Sequence, residues 1–252
     1  MAAPKNTLKA ALKAGEMTNG CWLSLGSPVV TDIVAGAGFD WCLIDGEHSP
    51  WDPSGVLAQL RILGGAQVPA VVRVPVGEDW ILKQALDMGA QSLLVPMVTD
   101  AAHAAEIAAA VRYPPLGRRG MGAGGARATG YGTVAEYETT ANDEVLLIVQ
   151  AESTSAIDDL EAIAATDGVD AIFIGPTDLS ADMGLPGRPD APEVKSVIVE
   201  AIRRIHKAGK PAGIIVFDPE DIHLYREMGL QFLAIAADGL ALRNGLAAAR
   251  AI

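Results

Sequence analysis

Glu152 and Asp178 each follow an apolar run, Val145-Leu-Leu-Ile-Val149 and Ala171-Ile-Phe-Ile174. Both runs read as buried strands, so two carboxylates reach what should be one rim, with Gln150 beside them. Two hard oxygen donors on one rim suggest a divalent metal. The other reading is that each acid caps the helix after its strand. A third run, Trp41-Cys-Leu-Ile44, leads into Asp45-Gly46-Glu47-His48, where the glycine allows a sharp turn that gathers two acids and an imidazole. His48 is the candidate general base, because imidazole titrates near neutrality; a histidine bonded to local backbone is the alternative. His103, His206 and His223 all fall on expected helices. Arg73 ends the run Ala70-Val-Val-Arg73, where a guanidinium is costly without an anion, either a substrate oxyanion or a neighbouring carboxylate. Trp22, in the first apolar run, either walls a pocket or packs in a core or interface.

Such groups converge only if the strand ends share one rim, and the chain's periodicity supplies that. Short β-branched or apolar runs alternate with alanine-rich segments of helical spacing, about eight times. The expected strands are Gly20 to Leu25, Trp41 to Ile44, Ala70 to Arg73, Ser92 to Val95, Val145 to Val149, Ala171 to Ile174, Ala212 to Val216 and Phe232 to Ala236. The expected helices are Val29 to Ala37, Pro53 to Leu63, Asp79 to Asp87, Ala101 to Val111, Ala156 to Ala164, Pro192 to Ala208, Pro219 to Met228 and Leu240 to Ala249. This pattern is a single-domain (β/α)8 barrel over residues 1–252, with a long loop at about 112–142 and a C-terminal helix at about 240–250. Its active site belongs at the carboxyl ends of the strands. A doubly wound sheet fits less well, because Leu25-Gly26-Ser27-Pro28 lacks the glycine-rich phosphate loop of dinucleotide folds.

Composition narrows the partners. Half of the 252 residues are hydrophobic, enough for a large core, and the net charge is −12. An acidic surface of this kind does not suit a nucleic-acid backbone. No apolar stretch is long enough to span a membrane, and Met1 to Lys13 has no signal-like apolar core. Cys21 and Cys42 lie in strand-like runs as expected buried thiols, and a soluble cytoplasmic protein is the expectation.

Other stretches carry weaker signals. The fourth strand closes in Pro96-Met97-Val98, with no ionisable group, and reads as packing. The 112–142 connection reads as a loop folding over the pocket, crossing a subunit interface, or serving structure alone, with Arg118, Arg119 or Arg127 available to an anion. Strands seven and eight lack the glycine-rich sequence of a barrel phosphate site, which counts against sugar phosphates. No lysine stands at the carboxyl end of an expected strand. Carbanion chemistry would therefore need stabilisation other than a Schiff base, and a metal could supply it.

Several motifs occur together and in order: Trp41-x-x-Ile44-Asp45-Gly46-Glu47-His48, Val72-Arg73-Val74-Pro75, Leu94-Val95-Pro96-Met97, Arg112-Tyr-Pro-Pro-x-Gly-x-Arg119-Gly, Gln150-x-Glu152 and Gly175-Pro-x-Asp178-Leu-Ser180. From about Gly20 to Asp238 the chain resembles the HpcH/HpaI family of class II pyruvate aldolases. The resemblance implies reversible, metal-dependent cleavage of 4-hydroxy-2-oxo acids, such as 4-hydroxy-2-oxoheptanedioate or a 2-keto-3-deoxy sugar acid, to pyruvate and an aldehyde. It implies Mg2+, Mn2+ or Co2+ on Glu152 and Asp178, His48 as proton acceptor, Arg73 on the enolate, and Gln150, Thr177 and Asp178 at pyruvate. It also marks Asp87 as the acid that raises the basicity of His48. Asp87 ends a helix and so faces the opposite rim of its own barrel; a subunit contact would be needed, and Asp45 is the alternative orienter. A homo-oligomer, a hexamer, is implied too, with the alanine-rich last helix either a partner surface or packed on its own barrel. The rival functions are a non-catalytic oxo-acid-binding barrel and a related acyl-CoA lyase.

Overall fold

The computed structural model describes residues 1–251. Its eight strands are all parallel and close into a barrel in sequence order: β1 (Thr18–Leu23), β2 (Trp41–Asp45), β3 (Ala70–Arg73), β4 (Ser92–Val95), β5 (Leu146–Ala151), β6 (Ala171–Ile174), β7 (Ala212–Ile215) and β8 (Phe232–Ala237). The helices are α1 (Thr7–Lys13), α2 (Pro28–Ala35), α3 (Pro53–Gly65), α4 (Asp79–Asp87), α5 (Ala101–Val111), α6 (Tyr137–Glu144), α7 (Thr154–Asp158), α8 (Leu160–Ala165), α9 (Pro176–Asp182), α10 (Pro192–Lys207), α11 (Pro219–Glu227) and α12 (Asp238–Arg250). The expected (β/α)8 architecture is therefore the observed one.

Strand side chains alternate between two apolar layers, as the two-residue period demands. Outward residues such as Cys42, Ile44, Val72, Leu93 and Val149 pack against the helices. Inward residues Trp22, Trp41, Leu43, Val71, Leu94, Ile148, Phe173 and Phe232 fill the barrel, Trp41 stacking on Phe232 at 3.9 Å between centroids. The amino-terminal end is plugged by Leu8 and Leu12 of α1, whose N-cap Asn6 accepts from Lys9 N. Extending the inward alternation two residues past Leu43, Val71 and Ile148 reaches Asp45, Arg73 and Gln150, and two more from Gln150 reaches Glu152. The pleat that fills the core thus also delivers the polar groups to the mouth.

Several details differ from the expected elements. α1, α6 and α9 lie outside the expected helices. The expected helix over Ala156 to Ala164 is two, broken at Asp159, whose carboxylate bonds Ala101 N. β1 begins and ends two residues early, and β5 runs on to Ala151. The 112–142 segment contains two short 3-10 turns and α6, and lies along α4: Arg118 pairs with Asp79, Arg119 with Asp87, and Arg127 donates to the carbonyls of Leu60 and Met88. All three arginines therefore have partners within the chain. The last helix does not pack on its own barrel beyond its start: residues 241–250 are exposed, Leu242 and Leu246 included.

Candidate active site

Asp45 and Arg73 are register partners on β2 and β3 and both point inward. Arg73 Nε and Nη2 donate to the two Asp45 oxygens, each at 2.8 Å. Trp22 Nε1 adds a third donor to Asp45 at 3.2 Å, and its ring lies beneath the guanidinium, 4.8 Å from centroid to Cζ. Burial alone would raise the Asp45 carboxyl, but Arg73 outweighs it and holds the group below its ordinary range. Arg73 thus has a neighbouring carboxylate as a partner within the chain. Trp22 is buried in the barrel, in contact with both members of this pair.

The turn after β2 is fastened to the same carboxylate: Asp45 Oδ1 accepts from Glu47 N at 3.0 Å and from His48 N at 3.4 Å. Gly46 is required there, because a Cβ would stand 2.6 Å from the Arg73 carbonyl. Glu47 turns back into the mouth, its Oε2 2.7 Å from Arg73 Nη1 though off the line of an N–H bond. Burial raises its carboxyl, with Arg73 and His48 opposing and the Asp45 and Asp178 carboxylates reinforcing the rise. Glu47 has no separate role in the sequence reading, and its place in the Asp-Gly-Glu-His turn is the signal that points to it. The His48 side chain is 65 % exposed, and among the described residues Glu47 alone stands at ion-pair distance from it, at 4.0 Å.

Across the mouth, Glu152 is 2 % exposed and is held by two donors. Met97 N bonds its Oε1 at 2.7 Å, and Gln150 Nε2 bonds its Oε2. Met97 adopts φ +56°, a region disfavoured for residues with a Cβ, and Val98 N then bonds the Gln150 carbonyl. The end of β4 is therefore a backbone clamp on both polar residues of β5, not the plain packing its composition suggested; a main-chain donor leaves no side-chain signature. Gly175, at the end of β6, leaves room for this pair, since a Cβ would lie 2.8 Å from Glu152 Cβ and 3.0 Å from Gln150 Nε2. Asp178 and Thr177 follow, exposed in the first turn of α9. Burial pushes the Glu152 carboxyl up to about 7, and the Asp178 and Glu47 carboxylates push the same way, so the acids share one electrostatic field.

Asp87 is apart from this group. It ends α4, accepts from the buried Arg119 at 2.7 Å and makes no contact with His48 within the chain. Asp45 touches the His48 backbone but not its ring.

The acidic set fits a hard divalent cation. No three His, Cys, Asp or Glu side chains form a ready-made metal cage among the described residues. Glu152 and Asp178 nevertheless offer charged oxygens, and Gln150 Oε1 is buried without a partner. A positive ion would also offset the burial, and with it the neighbouring negative charge, that raises Glu152.

Residues 18–245 match the HpcH/HpaI aldolase/citrate lyase family. The chain belongs to that family. Among HpcH/HpaI relatives, a hydroxypyruvate/pyruvate aldolase of Agrobacterium fabrum is 50 % identical over 248 residues, 98 % of this chain and 93 % of that protein. A 4-hydroxy-2-oxovalerate aldolase of Rhodococcus jostii is 46 % identical over 94 % of this chain and 92 % of its own length. A crystal structure of a family member from Burkholderia cenocepacia superposes with a TM-score of 0.92 at 39 % identity, covering 98 % of this chain and all of that one.

Proposed function

We propose that this HpcH/HpaI family member is a divalent-metal-dependent pyruvate aldolase. It cleaves the C3–C4 bond of 4-hydroxy-2-oxo acids to pyruvate and an aldehyde, and runs the reverse addition. The observation that carries this reading is the opposition of the clamped Arg73 to the Glu152 and Asp178 carboxylates at one barrel mouth, in a chain 46–50 % identical to named aldolases.

Glu152 and Asp178 would hold Mg2+, Mn2+ or Co2+, which when bound acts as a Lewis acid on the 2-oxo acid. Asp45 fixes the guanidinium plane of Arg73, and the N–H bonds of Nη1 and Nη2 that face neither Asp45 nor Glu47 serve the oxygen that becomes negative as the C3–C4 electrons move into the pyruvate enolate. Gln150, with its unpaired Oε1, and Thr177, with the amides of the first α9 turn, contact the pyruvate portion. His48 accepts the proton of the C4 hydroxyl as the aldehyde forms, and the enolate takes a proton from solvent at C3 to become pyruvate; the synthetic direction reverses both transfers. Asp87 reaches His48 only from a second subunit, so this role requires a homo-oligomer, a hexamer by resemblance; the exposed last helix suits such an assembly. The protein is proposed to be cytoplasmic, and none of its described helices is long and apolar enough to cross a membrane.

Relatives named for both donors make hydroxypyruvate a second proposed nucleophile beside pyruvate. Incubating the Mn2+-loaded enzyme with either donor and glycolaldehyde, and following the products by NMR, tests this. Loss of donor with appearance of the aldol is expected. Unchanged spectra for both donors would refute the proposal.

A further inference from the structure

Asp238 is a carboxylate at the carboxyl end of β8, 4 % exposed and without a cation at ion-pair distance among the described residues. Its charge is balanced by four hydrogen-bond donors. One, Gly239 N at 2.7 Å, belongs to its own helix, α12. The other three belong to the loop after β1: Ser24 N and Ser24 Oγ, each 2.9 Å from Oδ1, and Leu25 N, 3.1 Å from Oδ2. Most of what satisfies Asp238 is thus the β1 loop, and helix capping is its lesser task.

The same Ser24 accepts, on its carbonyl, the Ser49 hydroxyl at 2.6 Å. Ser49 follows His48 directly. The turn carrying His48 is therefore fastened on both sides, before the histidine by Asp45, which takes the amides of Glu47 and His48, and after it by Ser49. The imidazole itself is mostly exposed, and among the described residues its ring makes no side-chain hydrogen bond, the Glu47 carboxylate standing 4.0 Å away. Its approach to a substrate then depends on where the backbone of this turn is held.

We propose that Asp238, Ser24 and Ser49 form a brace from β8 through the β1 loop to the β2 turn, and that Ser49 is thereby a positioning residue for His48. The inference rests on the reading of His48 as proton acceptor. Ser49 touches neither substrate nor metal ligands and acts through the histidine alone.

The test is a double-mutant cycle on the Mn2+ enzyme with 4-hydroxy-2-oxopentanoate, comparing wild type, Ser49→Ala, His48→Ala and the double variant. Ser49→Ala should lower kcat roughly 10-fold, a loss in keeping with a small displacement of a reacting group, with KM and melting temperature near wild type. Ser49→Thr, which keeps the hydroxyl, should recover most of that rate. In the His48→Ala background the Ser49 substitution should change nothing further. An unaffected Ser49→Ala rate beside a crippled His48→Ala enzyme overturns the brace and leaves the histidine's role intact. So does an equal loss from Ser49→Ala with and without His48. Wild-type cleavage by His48→Ala would instead remove the proton-acceptor reading, and the brace with it.

Discussion

Replacing Glu152 by Gln should stabilise the metal-free protein while destroying its catalysis. The carboxyl is raised from 4.5 to about 7, first by burial and then by the Asp178 and Glu47 charges, against the donors Met97 N and Gln150 Nε2. The folded state therefore holds this proton more tightly than the unfolded chain. The associated stability is complete below pH 4.5 and is lost as pH rises through about 7. At about 1.36 kcal/mol per pH unit that interval is worth about 3 kcal/mol. A glutamine never ionises and escapes the loss. It could forfeit one of the two donations Glu152 now receives, but Gln150 Oε1 is unpaired, so a flip of the Gln150 amide supplies an acceptor for the new NH2. Most of the gain should survive. At about 2–4 °C per kcal/mol for a domain of this size, calorimetry in EDTA should find the variant melting roughly 6–12 °C above wild type at pH 8, with little difference at pH 5. Adding Mn2+ at pH 8 should raise the wild-type melting temperature but not the variant's. Parallel melting curves at both pH values, or a variant less stable at both, would refute the burial of charge at this position.

Arg73→Lys should fold but lose about 100-fold in turnover, because one ammonium cannot span both Asp45 oxygens and still face the substrate; steady-state kinetics beside circular dichroism checks this, and a rate within a few-fold of wild type would make Arg73 structural. Gly175→Ala would press a methyl against Glu152 and Gln150, costing about 1–3 kcal/mol of stability and weakening Mn2+ binding at least roughly 10-fold by calorimetric titration; unchanged affinity would mean that Glu152 is not the ligand. Burial pushes both Cys21 and Cys42 up to about 12, so at pH 8 only about one thiol in 10^4 is ionised, and the native protein should ignore a disulfide reagent that labels both cysteines once guanidinium unfolds it.

The barrel was legible because each strand is a short apolar run and each long helix carries a stripe wide enough to show a 3.6-residue period. The inward acids and arginine were legible for a related reason: Asp45, Arg73, Gln150 and Glu152 interrupt those runs at their ends, where a polar residue cannot be core. What escaped was chemistry carried by the main chain and by tertiary contact. Met97 N–H clamps Glu152 through a positive φ that no methionine announces. Asp238 lies just past the expected eighth strand with no role legible in the sequence, because its three bonds to the β1 loop cross more than 200 residues of chain. The arginines of the long loop read as free cations, and Asp79, Asp87 and the carbonyls of Leu60 and Met88 engage them once the fold brings α3 and α4 alongside.

The most direct measurement is pyruvate release from 4-hydroxy-2-oxopentanoate, read through lactate dehydrogenase, with acetaldehyde quantified in the same reaction. The enzyme would be assayed after exhaustive chelation and again after Mg2+, Mn2+ or Co2+ is restored. Pyruvate and acetaldehyde in equal amounts, lost on chelation and regained with metal without refolding, is the expected result. Absence of both products at saturating metal, or undiminished release from the metal-free protein, would contradict a metal-assisted aldolase centred on Glu152 and Asp178.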